Sequence, residues 1–220
     1  MQSEYWISLW ERDETRFHQA EVNPVLQQLW PTLELPKEKG VLVPLCGKSL
    51  DMRWLEAQGH QVWGVEIAEK PIIEFFAEAG EKAVFEPGMN NIHSYRGERT
   101  IIYFGDYLEL QTPDVKGAGA VYDRAALVAL PPDQRAHYAD HILRIIPELA
   151  VIVLLTIEYD QSLRDGPPFS VPEAEVKEIY GARASVELVS RAPTRALPPE
   201  FIEAGVKDPV QCVYKIVKQR

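Results

Sequence analysis

Residues 41–71 read VLVPLCGKSLDMRWLEAQGHQVWGVEIAEKP. The apolar run Val41, Leu42, Val43 breaks at Pro44 and enters a turn with one glycine, Gly47. Leu50 to Gln58 is patterned as a helix, and a second apolar run, Val62 to Ile67, carries the acid Glu66 near its end. Strand, turn, helix and a strand ending in an acid form the frame of a nucleotide-type cofactor site, in which the acid reaches the ribose hydroxyls from the neighbouring strand. The Gly47-to-Glu66 spacing is close to the roughly 20 residues this geometry requires. A solvated acid at a strand end is the bland alternative for Glu66.

The same turn narrows the ligand. Gly47-Lys48-Ser49 resembles the end of a phosphate-binding P-loop, but that motif needs a second glycine where Leu42 stands. One glycine cannot build an amide cradle for a triphosphate. The G-x-G-x-x-G fingerprint of pyrophosphate sites is absent as well. A nucleoside without phosphates is therefore the expected cofactor type.

Outward from this unit, strands alternate with helices. Pro71 opens a helix with Ile72, Phe75, Phe76 and Ala79 on one side, ended by Gly80. Residues 86–98 read as a loop or small insertion. Thr100 to Phe104 and Gly119 to Tyr122 are strands, Pro131-Pro132 open a helix, and Val151 to Ile157 has the continuous apolar run of a strand buried on both faces. A loop at Asp165 to Pro168 and a helix over Glu173 to Tyr180 precede two alternating strands, Ser185 to Val189 and Val210 to Val217. With only a loop between them, these last two predict an antiparallel hairpin at the sheet edge. Before the first strand, Trp6, Leu9 and Trp10 share a helical face, and Asn23 caps a helix that starts at Pro24 and stops at Pro31. The fold class is α/β, a mainly parallel sheet with helices on both faces and an antiparallel C-terminal strand.

The chain has 220 residues, 46% of them apolar, which suits a single domain with residues 1–35 as a helical cover. No apolar run reaches membrane-spanning length, and the N-terminus lacks the pattern of a secretory signal. Cys46 and Cys212 supply no disulfide framework, so a reducing, cytoplasmic setting is expected. A net charge of −10, from 33 acids against 23 bases, opposes nucleic acid as a partner. Nothing requires more than a monomer.

Ligands bind such sheets beyond the carboxyl ends of the strands, where Leu45, Glu66, Asp106 and Arg124 each follow an apolar run. Arg124 reads either as a surface ion pair with Asp123 or as a fork of donors holding an anion in a dry cleft. Cys46 reads as core packing, since no base is positioned beside it. His137 and His141 are spaced to share a metal on one helix face, but they lie opposite the Ala139/Ile142/Ile146 stripe and lack the Glu of H-E-x-x-H. A solvated face, with no metal, is the reading.

Taken together, Trp10, Phe17-His18-Gln19, Pro44-Leu45-Cys46-Gly47-Lys48-Ser49, Gly64-Val65-Glu66, Tyr122-Asp123-Arg124-Ala125-Ala126-Leu127 and Gly166-Pro167-Pro168-Phe169 resemble, in this order, the thiopurine S-methyltransferases. The resemblance covers nearly the whole chain and is strongest to the bacterial branch, some members of which are associated with selenium and tellurium methylation. It implies the seven-stranded class I methyltransferase sheet and S-adenosylmethionine as methyl donor. It implies that Trp10 and Leu45 line the donor site, that Glu66 holds the ribose, and that Asp106 and Tyr107 lie along the adenine. Arg124 would stand near the methionine end and the acceptor, with Phe17 and the adjacent His18 facing the acceptor from the cover. The implied acceptors are thiopurines, other small aromatic thiols, or selenium and tellurium species. The Gly166-to-Phe169 stretch lacks the polar first residue of the N/D-P-P-Y/F motif of amino-directed methyltransferases and reads as a loop shaping the pocket rim.

Overall fold

The computed structural model describes residues 3–88, 91–194 and 199–219. The chain divides into two compact units, with the boundary after Gly119. In the first unit, helices α1 (Ser3–Glu11) and α2 (Pro24–Leu29) precede strand β1 (Gly40–Pro44), helix α3 (Leu50–Ala57), strand β2 (Val62–Glu66) and helix α4 (Glu69–Glu78). Strands β3 (Val84–Glu86), β4 (His93–Arg96) and β5 (Thr100–Phe104) follow. Their sheet runs β3-β4-β5-β2-β1. β1, β2 and β5 are parallel, with Val41 opposite Val62 and Val62 opposite Thr100. Every residue of β1 and β2 is buried, as strands covered on both faces must be.

The second unit carries β6 (Ala118–Asp123) from Ala120 onward, α5 (Pro132–Ile145), β7 (Val151–Glu158), α6 (Glu173–Tyr180), β8 (Ala184–Pro193), α7 (Pro199–Glu203) and β9 (Val210–Lys218). Its strands run β6-β7-β9-β8. β6 and β7 are parallel, while β9 is antiparallel to both β7 and β8. The helix–strand alternation and the antiparallel C-terminal pair are as expected.

Several boundaries differ for local reasons. Nine strands stand among the described residues where seven were expected, because the stretch read as a loop or small insertion carries β4 and the end of β3, with β3 antiparallel to β4 and β4 antiparallel to β5. Residues 89 and 90 of that stretch lie outside the described residues. All three residues of β3 are exposed, including Val84 and Phe85, and β4 is polar, so neither shows a buried strand's pattern. The connection from β8 to β9 contains the short helix α7, not only a loop. α4 starts two residues before Pro71, which sits in the first turn, where its missing N–H is not needed. Ala79 ends exposed, leaving Ile72, Phe75 and Phe76 as the buried face. Pro31 does not stop α2 outright, and the chain tightens into a 3-10 turn over Trp30–Leu33.

Asn23 caps α2 as expected, its side chain accepting from the Val25 N–H at 2.9 Å. Its own N–H donates to the buried Asp51 carboxylate at 2.8 Å, which ties the start of α2 to the first turn of α3. No helix among the described residues is long and apolar enough to cross a membrane.

Candidate active site

In the first unit, three parallel strands end side by side. The Cys46 N–H donates to the Val65 carbonyl at 3.0 Å, and the Gly105 N–H to the Glu66 carbonyl at 2.9 Å. Beyond β1 the chain reverses through two left-handed residues, Leu45 at φ +47° and Gly47 at φ +52°. Glycine adopts that conformation freely, whereas leucine is strained in it. Ser49 then caps α3, accepting from the Asp51 N–H.

The turn is built around Glu66. One carboxylate oxygen accepts from the Gly47 N–H at 2.8 Å and the other from the Ala68 N–H at 2.9 Å. The group is 6% exposed. Burial raises its pKa above the usual carboxylate range, and the N–H groups of Ala68, Gly47 and Ile67 pull it part of the way back towards the ionised form. A carboxylate has about four acceptor directions, so it keeps acceptor capacity beside these amides. The site therefore presents an anchored acceptor, suited to ligand hydroxyls and hostile to phosphate. Cys46 is buried and its thiol is pushed well above the usual range, first by burial and then by the Glu66 charge, so core packing describes it.

Lys48, the residue that made the turn resemble a P-loop, is committed elsewhere. Its ammonium pairs with Glu74 at 2.8 Å and Glu78 at 2.6 Å, both on α4. Burial lowers its pKa, but the two carboxylates more than offset this and the net direction is up.

Trp10, in the last turn of α1, is 3% exposed and lies against the turn: a Cβ on Gly47 would come within 2.8 Å of its indole. Phe17 packs edge-on to Trp10 at 5.4 Å and stays 40% exposed, while the His18 ring lies 6.4 Å from Trp10. The Trp10 carbonyl accepts from Lys70 of α4 at 3.0 Å, and Lys70 also pairs with Asp13 and Glu74. Trp10, Ile67, Ile73 and Phe104 give apolar surface to a cleft of about 540 Å³, and Glu69 and Lys70 give it polar edges. Asp106 directly follows Gly105 and caps a 3-10 turn, its side chain accepting from the Leu108 N–H. Tyr107 in that turn is half-buried, its phenol pushed up to about 12 by burial and then by the Asp106 charge.

Trp10, Leu45 and Glu66 are thus gathered at one turn, Asp106 and Tyr107 continue from the strand beside Glu66, and Phe17 and His18 stand against Trp10. The cleft, the two amides on Glu66, and the Lys70 link to α1 had no signature beyond the single Gly47.

In the second unit, Arg124 is half-buried directly after β6. Asp123 is 1% exposed and turned inward. One oxygen accepts from the N–H groups of Ala126 and Leu127 at 3.0 and 3.2 Å, and the other from the Tyr138 hydroxyl at 2.7 Å. Burial pushes this carboxyl up to about 6, against the pull of those three donors. The loop at Gly166 packs the Phe169 ring against Gly166 and donates the Phe169 N–H to the Val128 carbonyl at 2.7 Å. His141 departs from the solvated face expected of it. It is 1% exposed, and its Nδ1 lies 2.8 Å from Arg144, because the buried side of α5 also includes Arg135 and Tyr138. His137 is exposed, so the two rings do not share one environment.

A family sequence model, thiopurine S-methyltransferase (TPMT), matches residues 1–219. The thiopurine S-methyltransferase of Pseudomonas fluorescens (strain Pf0-1) is 44% identical over 217 residues, covering 98% of this chain and 99% of that protein. That of Bordetella petrii is 42% identical over 220 residues, covering both chains completely. Among solved structures, the Burkholderia thailandensis 1,6-didemethyltoxoflavin-N1-methyltransferase with bound S-adenosylhomocysteine superposes with a TM-score of 0.65 at 19% identity, covering 99% of this chain and 87% of that one. The magnesium protoporphyrin IX methyltransferase of Synechocystis PCC 6803 gives 0.64 at 15% identity, covering 99% and 98%. At that identity the likeness concerns the fold, which is the class I methyltransferase fold.

Proposed function

The chain belongs to the thiopurine S-methyltransferase family, and from that premise we propose that it transfers a methyl group from S-adenosylmethionine to the sulfur of thiopurines or other small aromatic thiols. The observation that carries the donor assignment is the Glu66 carboxylate, held by the Gly47 and Ala68 amides beside an apolar cleft. A buried acceptor-only group suits the paired hydroxyls of a ribose, and the apolar walls suit a purine. Neither feature suits a pyrophosphate. When bound, S-adenosylmethionine supplies a sulfonium methyl that is already activated for transfer.

What remains for the protein is binding, alignment and exclusion of water. Glu66 holds the ribose, Trp10 and Leu45 line the donor site, and Asp106 and Tyr107 flank the adenine. Phe17 and His18 face the acceptor from the cover, residues 1–35, of a single catalytic domain. Positioning two reactants in line supplies roughly 7–11 kcal/mol of barrier reduction. An aromatic thiol is acidic enough to arrive ionised, so no strong general base is called for. Arg124 stabilises the sulfur anion, directly or through water. Two buried free thiols, Cys46 and Cys212, support a reducing cytoplasmic setting, and we propose a monomer there.

A methyl-release assay against a panel of thiopurines, aryl thiols and selenite tests the reading. Turnover is expected with the thiopurines and aryl thiols. Methylation of selenite alone moves the assignment to the alternative, a methyltransferase for selenium and tellurium species. Failure to bind S-adenosylmethionine by calorimetry sinks the donor site itself.

A further inference from the structure

Resting on the S-methyltransferase reading, we infer that Asp123 is a positioning residue for Arg124, and that its buried, charged contact with Tyr138 holds the arginine in its working place. Arg124 sits between two fixed points. Behind it β6 is locked to β7, with Tyr122 opposite Val153 and Asp123 opposite Leu154. Ahead of it, Ala126 and Leu127 both donate their N–H groups to one oxygen of Asp123. The backbone therefore leaves the strand, turns through Arg124 and Ala125, and returns onto the side chain of the residue before the arginine. The other oxygen is tethered to α5 through the Tyr138 hydroxyl at 2.7 Å.

The charge on Asp123 is the feature a purely structural role leaves unexplained. A neutral asparagine has an oxygen for the two amides and an amide group for the tyrosine hydroxyl. A buried carboxylate instead carries a desolvation penalty whenever it is ionised. The groups facing it are Tyr138 from α5 and Tyr180 from α6, both fully buried. The Tyr180 phenol is raised first by burial and then by the Asp123 charge, with Arg183 opposing. Protonating Asp123 removes the charge that strengthens its hold on the two amides and so loosens the turn that carries Arg124. Methyl transfer should therefore fall on acidification while the fold persists.

The test is the pH dependence of kcat at saturating donor, with an electron-poor aryl thiol that stays ionised over about pH 5 to 8, so that the acceptor adds no limb of its own. In the unmodified protein an acid limb is expected near pH 6, the value to which the carboxyl is pushed. Tyr138→Phe removes a donor that favours the ionised form, so its limb should move to higher pH. Asp123→Asn should lose the limb and turn over about tenfold more slowly at neutral pH, with the donor Kd unchanged within a factor of about three. Limbs at the same pH in the unmodified protein and in Tyr138→Phe overturn the inference. So does a limb retained in Asp123→Asn. If Asp123→Asn does not fold, Tyr138→Phe alone decides. Absence of turnover by the unmodified protein with every thiol of the panel instead removes the S-methyltransferase reading, a result distinguishable from an immobile limb.

Discussion

The backbone N–H of Gly47 donates to the Glu66 carboxylate at 2.8 Å, joining the turn after β1 to the acid that ends β2. The two residues that the sequence places at cofactor spacing are thus in direct contact. The glycine's part is to hold the acid, where a phosphate loop would use its amide on the ligand.

Replacing Glu66 tests that contact. Glu66→Ala leaves two amides of a buried turn without their acceptor, each at a cost of about 1–3 kcal/mol, and removes the proposed ribose ligand. S-adenosylmethionine affinity should drop by roughly 100-fold in calorimetry, with Glu66→Gln in between. Wild-type affinity in Glu66→Ala would discard the assignment.

Gly47 and Gly80 make an internal comparison. Both are left-handed, at φ +52° and +66°. An added Cβ at Gly80 meets nothing within 4 Å, whereas at Gly47 it reaches the Trp10 indole at 2.8 Å. Gly80→Ala should cost about 1 kcal/mol of backbone strain. Gly47→Ala should cost that plus about 1–3 kcal/mol of overpacking, so its melting temperature should fall several degrees further. Equal melting shifts would mean that Trp10 yields freely.

Arg124→Ala should separate binding from turnover. The proposal predicts kcat reduced by about 100-fold with the donor Kd changed by less than about threefold, because the anion it stabilises belongs to the acceptor. Unchanged turnover at saturating donor rejects that role.

Asp123 also leaves a mark on stability. Its carboxyl is pushed from 3.8 up to about 6 in the folded protein, so the fold binds the proton more tightly than the unfolded chain does. This contribution is present below about pH 4 and is lost as pH rises through about 6, reaching roughly 3 kcal/mol of destabilisation at neutral pH. Asp123→Asn should therefore gain stability relative to wild type at pH 8, and the gain should shrink steadily towards pH 4 in urea unfolding. A difference independent of pH contradicts a raised carboxyl.

Much of the architecture was readable because burial imposes a period. The buried strands β1, β2 and β7 show as apolar runs, and Asn23-Pro24 announces α2 through cap chemistry. What escaped lacks such a period. β3 is wholly exposed and β4 is polar, so they are held by backbone pairing to each other and of β4 to β5, which leaves no apolar period in the sequence. α7 spans five residues, too few for a helical stripe. The burial of His141 has no apolar signature, because its neighbours on the buried side, Arg135 and Tyr138, are themselves polar. At the site, the strand-end residues were legible from position. In sequence Asp123 reads as a partner for Arg124, and nothing local reveals that it turns inward to Tyr138.

The exposed hairpin has a consequence for the chain's life in a crowded solution. β3 is the outer strand of the first unit's sheet, and its Val84 and Phe85 face solvent. A long strand of that kind is a template for self-association. Here it stops after three residues, and its last residue, Glu86, forms an ion pair with Arg96 on β4. Shortness and charge act as a guard against fibre-like stacking. Glu86 is accordingly a residue whose loss should show first as precipitation, with the catalytic rate of the soluble protein untouched.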